Sequence, residues 1–138
     1  MNEDRIKHSL SVALKMIEIG KKKNLNEKQL EELFVLGLNH DIGYQFGNNE
    51  NHNEIGAEIL KNSGYKYWKE ILNHGKIDNI YNSLYLDILN EADMKIDKYG
   101  NDVGYDDRLN DIKARYGEKS KVFKNAEILV KKLINKDD

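Results

Sequence analysis

Six side chains of this sequence have the types that bind divalent metal ions, and all four histidines are among them. The six are His8, His40, Asp41, His52, His74 and Asp93. Imidazole and carboxylate are the ligands that iron, manganese and zinc prefer, and the absence of cysteine excludes a thiolate site. If these side chains converge, we expect the protein to bind one or two metal ions, which suits hydrolytic chemistry.

The adjacent pair His40 and Asp41 can share a metal ion only near the end of a helix. Neighbouring residues within a helix point about 100° apart, so both side chains cannot easily reach one ion in mid-helix. Beyond the last turn the backbone is free to redirect them. Gly43 follows two residues later and predicts that the helix ends there.

Asp93 is predicted to lie inside an apolar helix, where a carboxylate needs a positive partner. Leu89, Ala92 and Ile96 surround it in the sequence. Burying a charge among such side chains costs free energy unless it is paired. A bound metal ion would provide that pairing.

Length and composition narrow the class of protein. A chain of 138 residues is expected to form a single domain spanning 1–138. Charged residues at 33% and hydrophobic residues at 39% are typical of a folded protein, and a net charge of -2 does not indicate nucleic-acid binding. No apolar run approaches the roughly 20 residues that span a bilayer. The chain start is too polar for a secretory signal, so we expect a cytoplasmic protein without a membrane partner.

Apolar periodicity predicts helices throughout the chain. The first is expected from Asp4 to Lys23. Asn26 should then cap a second helix, with Gln29 as its capping-box partner. That helix is expected to run into His40 and to end at Gly43.

The remainder of the chain also shows helical spacing. We expect a loop over residues 43–51, a short helix ending near Gly64 and a helix over 66–73. A longer helix should begin at Asp78 or Asn79 and include Ile96. A loop over 99–105, a helix over 106–116 and a last helix capped by Ser120 should follow. No segment shows sustained period-two alternation. The predicted fold is therefore all-α, with about six or seven helices.

The order of the ligands resembles the signature of the HD superfamily of metal-dependent phosphohydrolases. The matching segments are Arg-Ile-Lys-His8-Ser-Leu-Ser-Val-Ala, Leu-Asn-His40-Asp41-Ile-Gly and Glu-Ala-Asp93-Met-Lys-Ile-Asp. The resemblance implies an HD helical bundle in which His8, His40, Asp41 and Asp93 hold a metal ion. It also implies that His40 and Asp41 are the catalytic pair.

A second metal ion is implied by the branches of this superfamily that bind two. The HD-GYP phosphodiesterases and the bacterial diadenosine tetraphosphate hydrolases add one histidine before a short helix and another at the end of the next. His52 and His74 occupy those places, with Asp41 bridging. Without a metal ion, His52 would be a solvated residue at a helix start, and His74 a C-terminal histidine favoured by the helix dipole.

The sequence departs from both of these two-metal branches. Tyr44 replaces the lysine that is usual in HD-GYP proteins, and the Gly-Tyr-Pro motif is missing. Gly75 and Lys76 follow His74 where the diadenosine tetraphosphate hydrolases have a threonine-rich turn. Asn73 stands where many relatives carry a further histidine. The two departures from the HD-GYP pattern argue against a cyclic dinucleotide as substrate.

Basic residues near the motifs are candidates for binding the substrate. They are Lys76, Lys95, Arg108 and Arg115. Arg108 and Arg115 lie seven residues apart, on one helical face, and arginine suits bidentate phosphate contacts. The alternative for the two arginines is ion pairing with Asp107, Asp111 or Glu91.

Aromatic residues recur between positions 65 and 85 and admit two interpretations. They are Tyr65, Tyr67, Trp68, Tyr81 and Tyr85. Such side chains can stack on bases, but their helical spacing favours packing at the edge of the core, with hydroxyls reaching solvent.

The function predicted first is hydrolysis of a phosphoester or phosphoanhydride in a nucleotide or another small phosphorylated metabolite. One or two divalent ions (Fe, Mn, Zn, Ni or Mg) would lower the pKa of bound water from 15.7 to roughly 7. The alternative is a catalytically weak HD module that binds a nucleotide and metal as a regulatory protein. A third possibility is a structural helical bundle with surface histidines.

Overall fold

The computed structural model describes residues 2–46, 51–78 and 80–137, and within them the chain is all-α. Its α-helices are α1 (Glu3–Lys22), α2 (Glu27–Asn39), α3 (His52–Asn62), α4 (Trp68–Asn73), α5 (Leu84–Asp93), α6 (Gly104–Tyr116) and α7 (Lys121–Asp137), and a short 3-10 helix covers Ile42–Gln45. Extended pairing in these ranges is limited to an isolated antiparallel bridge between Ile96 and Asp102. The predicted all-α class is confirmed. None of the described helices combines the length and the apolarity that crossing a bilayer requires.

Helices α1 and α2 form an antiparallel pair whose connection is fixed locally. Asn26 accepts a hydrogen bond from the Gln29 backbone, and the Gln29 side chain accepts one from the Asn26 backbone, so the predicted capping box is present. Gly37 allows the two helices to touch, because a Cβ there would lie 2.5 Å from the Cα of Ala13.

The main core lies between α1, α2 and α5, with contributions from α3 and α4. Its buried members are Val12, Met16, Ile19, Leu33, Leu36, Ala57, Ile71, Ile88, Leu89, Ala92 and Ile96. Burial of these side chains against one another fixes the positions of the helix ends that carry the candidate ligands.

A second, smaller core joins α6 and α7 to the residue after α5. Its buried members are Met94, Ile112, Ala126, Leu129, Val130 and Leu133. Ser120 caps α7 as predicted, since its Oγ accepts a hydrogen bond from the Phe123 backbone at 3.1 Å. This hairpin packs beside the main core.

The prediction that Gly43 ends the second helix is wrong. Helix α2 ends at Asn39, and Gly43 lies inside the short 3-10 helix that follows. The reason for glycine there is close approach to α3, because a Cβ on Gly43 would lie 1.7 Å from the backbone oxygen of His52. Gly43 thus allows the start of α3 to pack against the 3-10 helix that follows α2.

The predicted start of the long helix at Asp78 or Asn79 is also wrong. Asn79 lies outside the described residues. Helix α5 begins at Leu84, and Ser83 caps it by accepting a hydrogen bond from the Leu86 backbone at 3.0 Å. The helix ends at Asp93, so Ile96 lies beyond it.

Candidate metal centre

The candidate ligands converge because helix ends meet at one place. They are His40 and Asp41 after α2, His52 at the start of α3, His74 after α4, Asp93 at the end of α5, and His8 within α1. A carboxylate at a helix C-terminus, such as Asp93, faces the negative end of the helix dipole, and it therefore requires positive charge nearby. The prediction that Asp93 lies in the middle of a helix is wrong, because Asp93 is the last residue of α5.

Asp41 lies at the centre of the cluster, and its two oxygens face different histidines. Its Oδ2 lies 3.2 Å from Nε2 of His40 and 3.8 Å from Nε2 of His8. Its Oδ1 lies 3.4 Å from Nε2 of His74 and 3.5 Å from Nε2 of His52. The carboxylate therefore joins one pair of imidazoles to the other.

Asp93 completes the side of the cluster that holds His8 and His40. Its Oδ1 lies 2.9 Å from Nε2 of His8 and 3.4 Å from Nε2 of His40. Ligand atoms fall into three sets within 4.8 Å of one another: His8 with His40 and Asp41, His40 with His74 and Asp93, and Asp41 with His52 and His74. The third set shares Asp41 with the first and His74 with the second, and it alone contains His52.

Backbone carbonyls orient the imidazoles of three of the histidines. Nδ1 of His8 donates to the backbone carbonyl of Asp97 at 2.8 Å. In the same way, Nδ1 of His40 donates to the carbonyl of Gly37 at 2.7 Å, and Nδ1 of His74 donates to that of Ile71 at 2.5 Å. A carbonyl oxygen only accepts, so each Nδ1 carries its proton and each Nε2 faces the cluster. Hydrogen bonding of the second ring nitrogen is how proteins fix metal-binding imidazoles.

The cluster fits a divalent metal ion by two observations. Nε2 of His40 is fully buried and makes no hydrogen bond to a described residue, although carboxylate oxygens lie nearby. A buried polar atom without a partner calls for an explanation, and a metal ligand is one. The donor set of imidazole nitrogens and carboxylate oxygens suits an intermediate ion such as Fe, Mn or Zn.

The electrostatics of the cluster are strongly coupled. Burial by itself would lower the pKa of His40. The negative charges of Asp41 and Asp93 have the larger effect, and they raise this pKa well above its ordinary value. Burial raises the pKa of Asp41 and of Asp93, but the facing histidines outweigh it and hold both values well below the ordinary range. Both carboxylates are therefore ionised at neutral pH and offer negative charge to a cation.

Two buried asparagines brace the turn that carries His74. Nδ2 of Asn53 donates to the backbone oxygen of His74 at 2.8 Å and to that of Leu72 at 3.3 Å. Oδ1 of Asn90 accepts from the backbone nitrogen of Gly75 at 2.8 Å. Sequence analysis did not single out either asparagine, since neither belongs to a motif.

Tyr44 and Arg5 form a stack on His52. The Tyr44 ring lies 3.9 Å from the His52 imidazole at an angle of 15°, and the Arg5 guanidinium lies 3.3 Å from the other face of the tyrosine. Burial raises the pKa of Tyr44 to about 12, with a further contribution from the Asp41 charge. Tyr44 is therefore a neutral phenol at physiological pH.

A cavity of about 580 Å³ opens onto the cluster. Three of the predicted basic residues line it, namely Lys76, Arg108 and Arg115, and so do Arg5 and Lys98. Lys95 is not among the lining residues. Its ammonium pairs with Glu91 at 3.0 Å and lies 4.7 Å from the Tyr105 ring.

The two lining arginines also form the predicted ion pairs. Arg108 and Arg115 reach the same oxygen of Asp111, at 3.3 and 3.1 Å. Arg108 in addition donates through Nε to the backbone oxygen of Asp93 at 3.3 Å. The Asp111 carboxylate thus contacts two guanidinium groups, and Arg108 is hydrogen-bonded to the backbone of the candidate ligand Asp93.

The aromatic residues between positions 65 and 85 lie away from the cavity. Tyr65, Tyr67, Trp68 and Tyr85 pack against the main core, as their helical spacing favours. Their hydroxyls are less solvated than expected, because Tyr67 and Tyr85 donate to the carboxylate of Glu32 at 2.6 and 2.8 Å.

The fold and the cluster together define an all-α protein with a candidate metal site lined by histidine and aspartate. The family model described as HD domain matches residues 5–110 of the chain. This match covers well over half of the 138 residues, and the chain belongs to the HD domain family. Members of this family are generally metal-dependent hydrolases. No curated protein and no solved structure matches the chain.

Proposed function

We propose that this protein is a metal-dependent phosphohydrolase that cleaves a phosphoester or phosphoanhydride in a nucleotide or another small phosphorylated metabolite. One observation carries the proposal. The two oxygens of Asp41 face separate pairs of histidines, His8 with His40 and His52 with His74. This arrangement suits a carboxylate that bridges two divalent ions.

His8, His40, Asp41 and Asp93 would hold the first ion, and His52 and His74 would hold the second together with Asp41. When bound, such ions supply an acidified water and neutralise charge on phosphoryl oxygens. The residues of the chain would provide a fixed frame for this chemistry. Backbone carbonyls keep the Nε2 atoms directed inward, and the Asp41 carboxylate is held ionised by its histidines.

The charge distribution of the cavity supports a phosphate as the bound group. Its described lining includes four carboxylates, of which Asp41 and Asp93 belong to the candidate metal cluster, and five cations: Arg5, Lys76, Lys98, Arg108 and Arg115. Arg5 and Lys98 form no ion pair with a described carboxylate, which leaves their charge available to an anion. Arginine presents a planar fork of donors that matches phosphate oxygens.

A screen of phosphate substrates tests the proposal. Purified protein would be stripped with a chelator, reloaded with Mn²⁺, Fe²⁺, Ni²⁺ or Mg²⁺, and assayed on p-nitrophenyl phosphate, bis-p-nitrophenyl phosphate and a nucleotide panel. We expect turnover that requires metal and that is lost in Asp93→Asn. The matched control is Asp106→Asn, which removes the same charge from an exposed residue outside the cavity.

Two results would contradict the proposal. Turnover that survives in Asp93→Asn would place the reaction elsewhere or in a contaminant. Tight nucleotide binding by metal-loaded protein, with no cleavage of any ester or anhydride, would favour the regulatory module instead.

A further inference from the structure

The cavity that opens onto the metal centre extends to an apolar wall built by α6 and α7. The wall residues are Met94, Ile112, Val122, Ala126 and Leu129, with the ring of Tyr116 beside them. Four of these side chains are members of the second core and are buried there: Met94, Ile112, Ala126 and Leu129. The wall is therefore the outer surface of a packed unit and has a fixed shape.

Most of this wall belongs to the part of the chain that lies beyond the family match. The match ends at residue 110, whereas Ile112 follows it and α7 covers Lys121–Asp137. The wall is thus a feature of this chain in addition to the HD domain signature.

Helix α6 connects the wall to the metal centre. Arg108 donates to the backbone of Asp93, and Ile112 lies one helical turn further along the same face. Met94 lines the cavity directly after the ligand Asp93. A phosphate held near Arg108 would therefore lie about one helical turn from Ile112 and close to Met94, within reach of its organic substituent.

We propose that the wall of α6 and α7 binds the organic part of the phosphorylated substrate, and that this part is uncharged and largely apolar. The inference rests on the proposed phosphate chemistry of the metal centre. Arg108 is a lining cation that contacts the backbone of the candidate ligand Asp93, whereas five apolar side chains line the wall, with Arg115 next to Tyr116 on the same helix. A ligand with one anionic end and one apolar end matches this division, and a volume of about 580 Å³ is in the ordinary range for a small-molecule site.

Two phosphonates that differ only in their organic group test the inference. Phenylphosphonate and methylphosphonate carry the same anion and have a carbon–phosphorus bond that hydrolysis does not cleave. In calorimetric titrations of Mn²⁺-loaded protein, we expect phenylphosphonate to bind about tenfold more tightly, as burial of roughly 55 Å² of additional apolar surface would give.

Val122 offers a matched pair of variants. It lines the wall yet is 50% exposed, so Val122→Asp adds a charge to the wall without filling a buried site. Ile128 lies on the same helix, is 42% exposed and does not line the cavity. We expect Val122→Asp to reduce the preference for phenylphosphonate to below about threefold, and Ile128→Asp to leave it unchanged.

The outcomes separate this inference from the proposed function. Equal binding of the two phosphonates, or equal effects of the two variants, would overturn the inference even if the protein cleaves phosphate esters. A retained preference without cleavage of any ester or anhydride in the substrate panel would support the wall and overturn the proposed hydrolase. Failure of both phosphonates to bind would overturn the phosphate site and the wall together.

Discussion

The ring of Tyr44 lies parallel to the imidazole of His52, with centroids 3.9 Å apart and 15° between the planes. The Arg5 guanidinium covers the opposite face of the tyrosine. His52 is thereby oriented toward Asp41 by a neighbouring ring, whereas His8, His40 and His74 are oriented by backbone carbonyls. The side chain of Tyr44, where HD-GYP proteins usually have lysine, thus positions His52 in the candidate metal centre.

Removal of the Tyr44 ring should weaken the second metal site. Groups that orient metal ligands typically contribute 10- to 100-fold to metal affinity, so we expect Tyr44→Ala to lower Mn²⁺ affinity at the weaker site by about tenfold. Tyr44→Phe keeps the ring and should bind Mn²⁺ as the wild type does. Calorimetric titration measures both, and indistinguishable affinities for the alanine and phenylalanine variants would contradict a role for the stack.

Gly43 should be far more sensitive to substitution than a glycine in open space. A Cβ at Gly43 would collide with the His52 backbone, so we expect Gly43→Ala to lower the free energy of unfolding by about 3 kcal/mol. Gly64 has φ +83° and no atom within 4 Å of an added Cβ, so Gly64→Ala should cost only about 1 kcal/mol of backbone strain. Urea unfolding measures the free energy of unfolding of both variants. Equal losses in the two would contradict the close contact between Gly43 and α3.

Glu32 should stabilise the fold in a pH-dependent way. The hydrogen bond from Tyr67 lowers the pKa of Glu32 below its ordinary 4.5; burial acts in the opposite direction, and a second hydrogen bond from Tyr85 adds to the lowering. A group whose pKa is depressed by folding stabilises the protein above its unfolded pKa, and this stabilisation is lost as pH falls through the folded value.

We therefore expect Glu32→Gln to lower the free energy of unfolding by about 1–2 kcal/mol at pH 7, with the deficit shrinking as pH falls below about 4.5. Glu31→Gln changes an exposed neighbour and serves as the control. Urea melts at several pH values measure the difference. A deficit that is constant with pH would contradict the assignment of the effect to the Glu32 carboxylate.

Arg108 and Lys95 should differ in their effect on catalysis. Arg108 lines the cavity and is bonded to the Asp93 backbone, whereas Lys95 pairs with Glu91 and does not line the cavity. We expect Arg108→Gln to reduce kcat/KM for a phosphate ester by about tenfold or more, as loss of a charge-assisted hydrogen bond gives. Lys95→Gln should change kcat/KM by no more than about twofold. A larger loss of kcat/KM in Lys95→Gln than in Arg108→Gln would assign phosphate binding to Lys95.

The sequence was sufficient to predict the features that depend on local patterns. Capping residues such as Asn26 and Ser120 act within one helical turn, so their hydrogen bonds follow from neighbours in the sequence. The candidate ligands could be recognised because imidazoles and carboxylates are rare in apolar segments, and because their order matches the HD signature. Whether they bind metal remains a prediction.

Features that depend on contacts between distant segments could not be predicted. Asn90 reaches Gly75 on another element, and Arg5 reaches Tyr44 across the site. Gly43 was predicted to end a helix because glycine often does so, yet its role is to admit the backbone of α3. In each case, the deciding neighbour lies on an element whose position only the packed core determines.

Metal binding by the Asp41 cluster is the central claim, and titration of Mn²⁺ into chelator-treated protein tests it most directly. Because Asp41 joins both pairs of histidines, we expect the wild type and Asp106→Asn to bind Mn²⁺ with the same stoichiometry. Asp41→Asn should lose binding at both halves of the site. Unchanged stoichiometry and affinity in Asp41→Asn would contradict the assignment of this cluster as the metal centre.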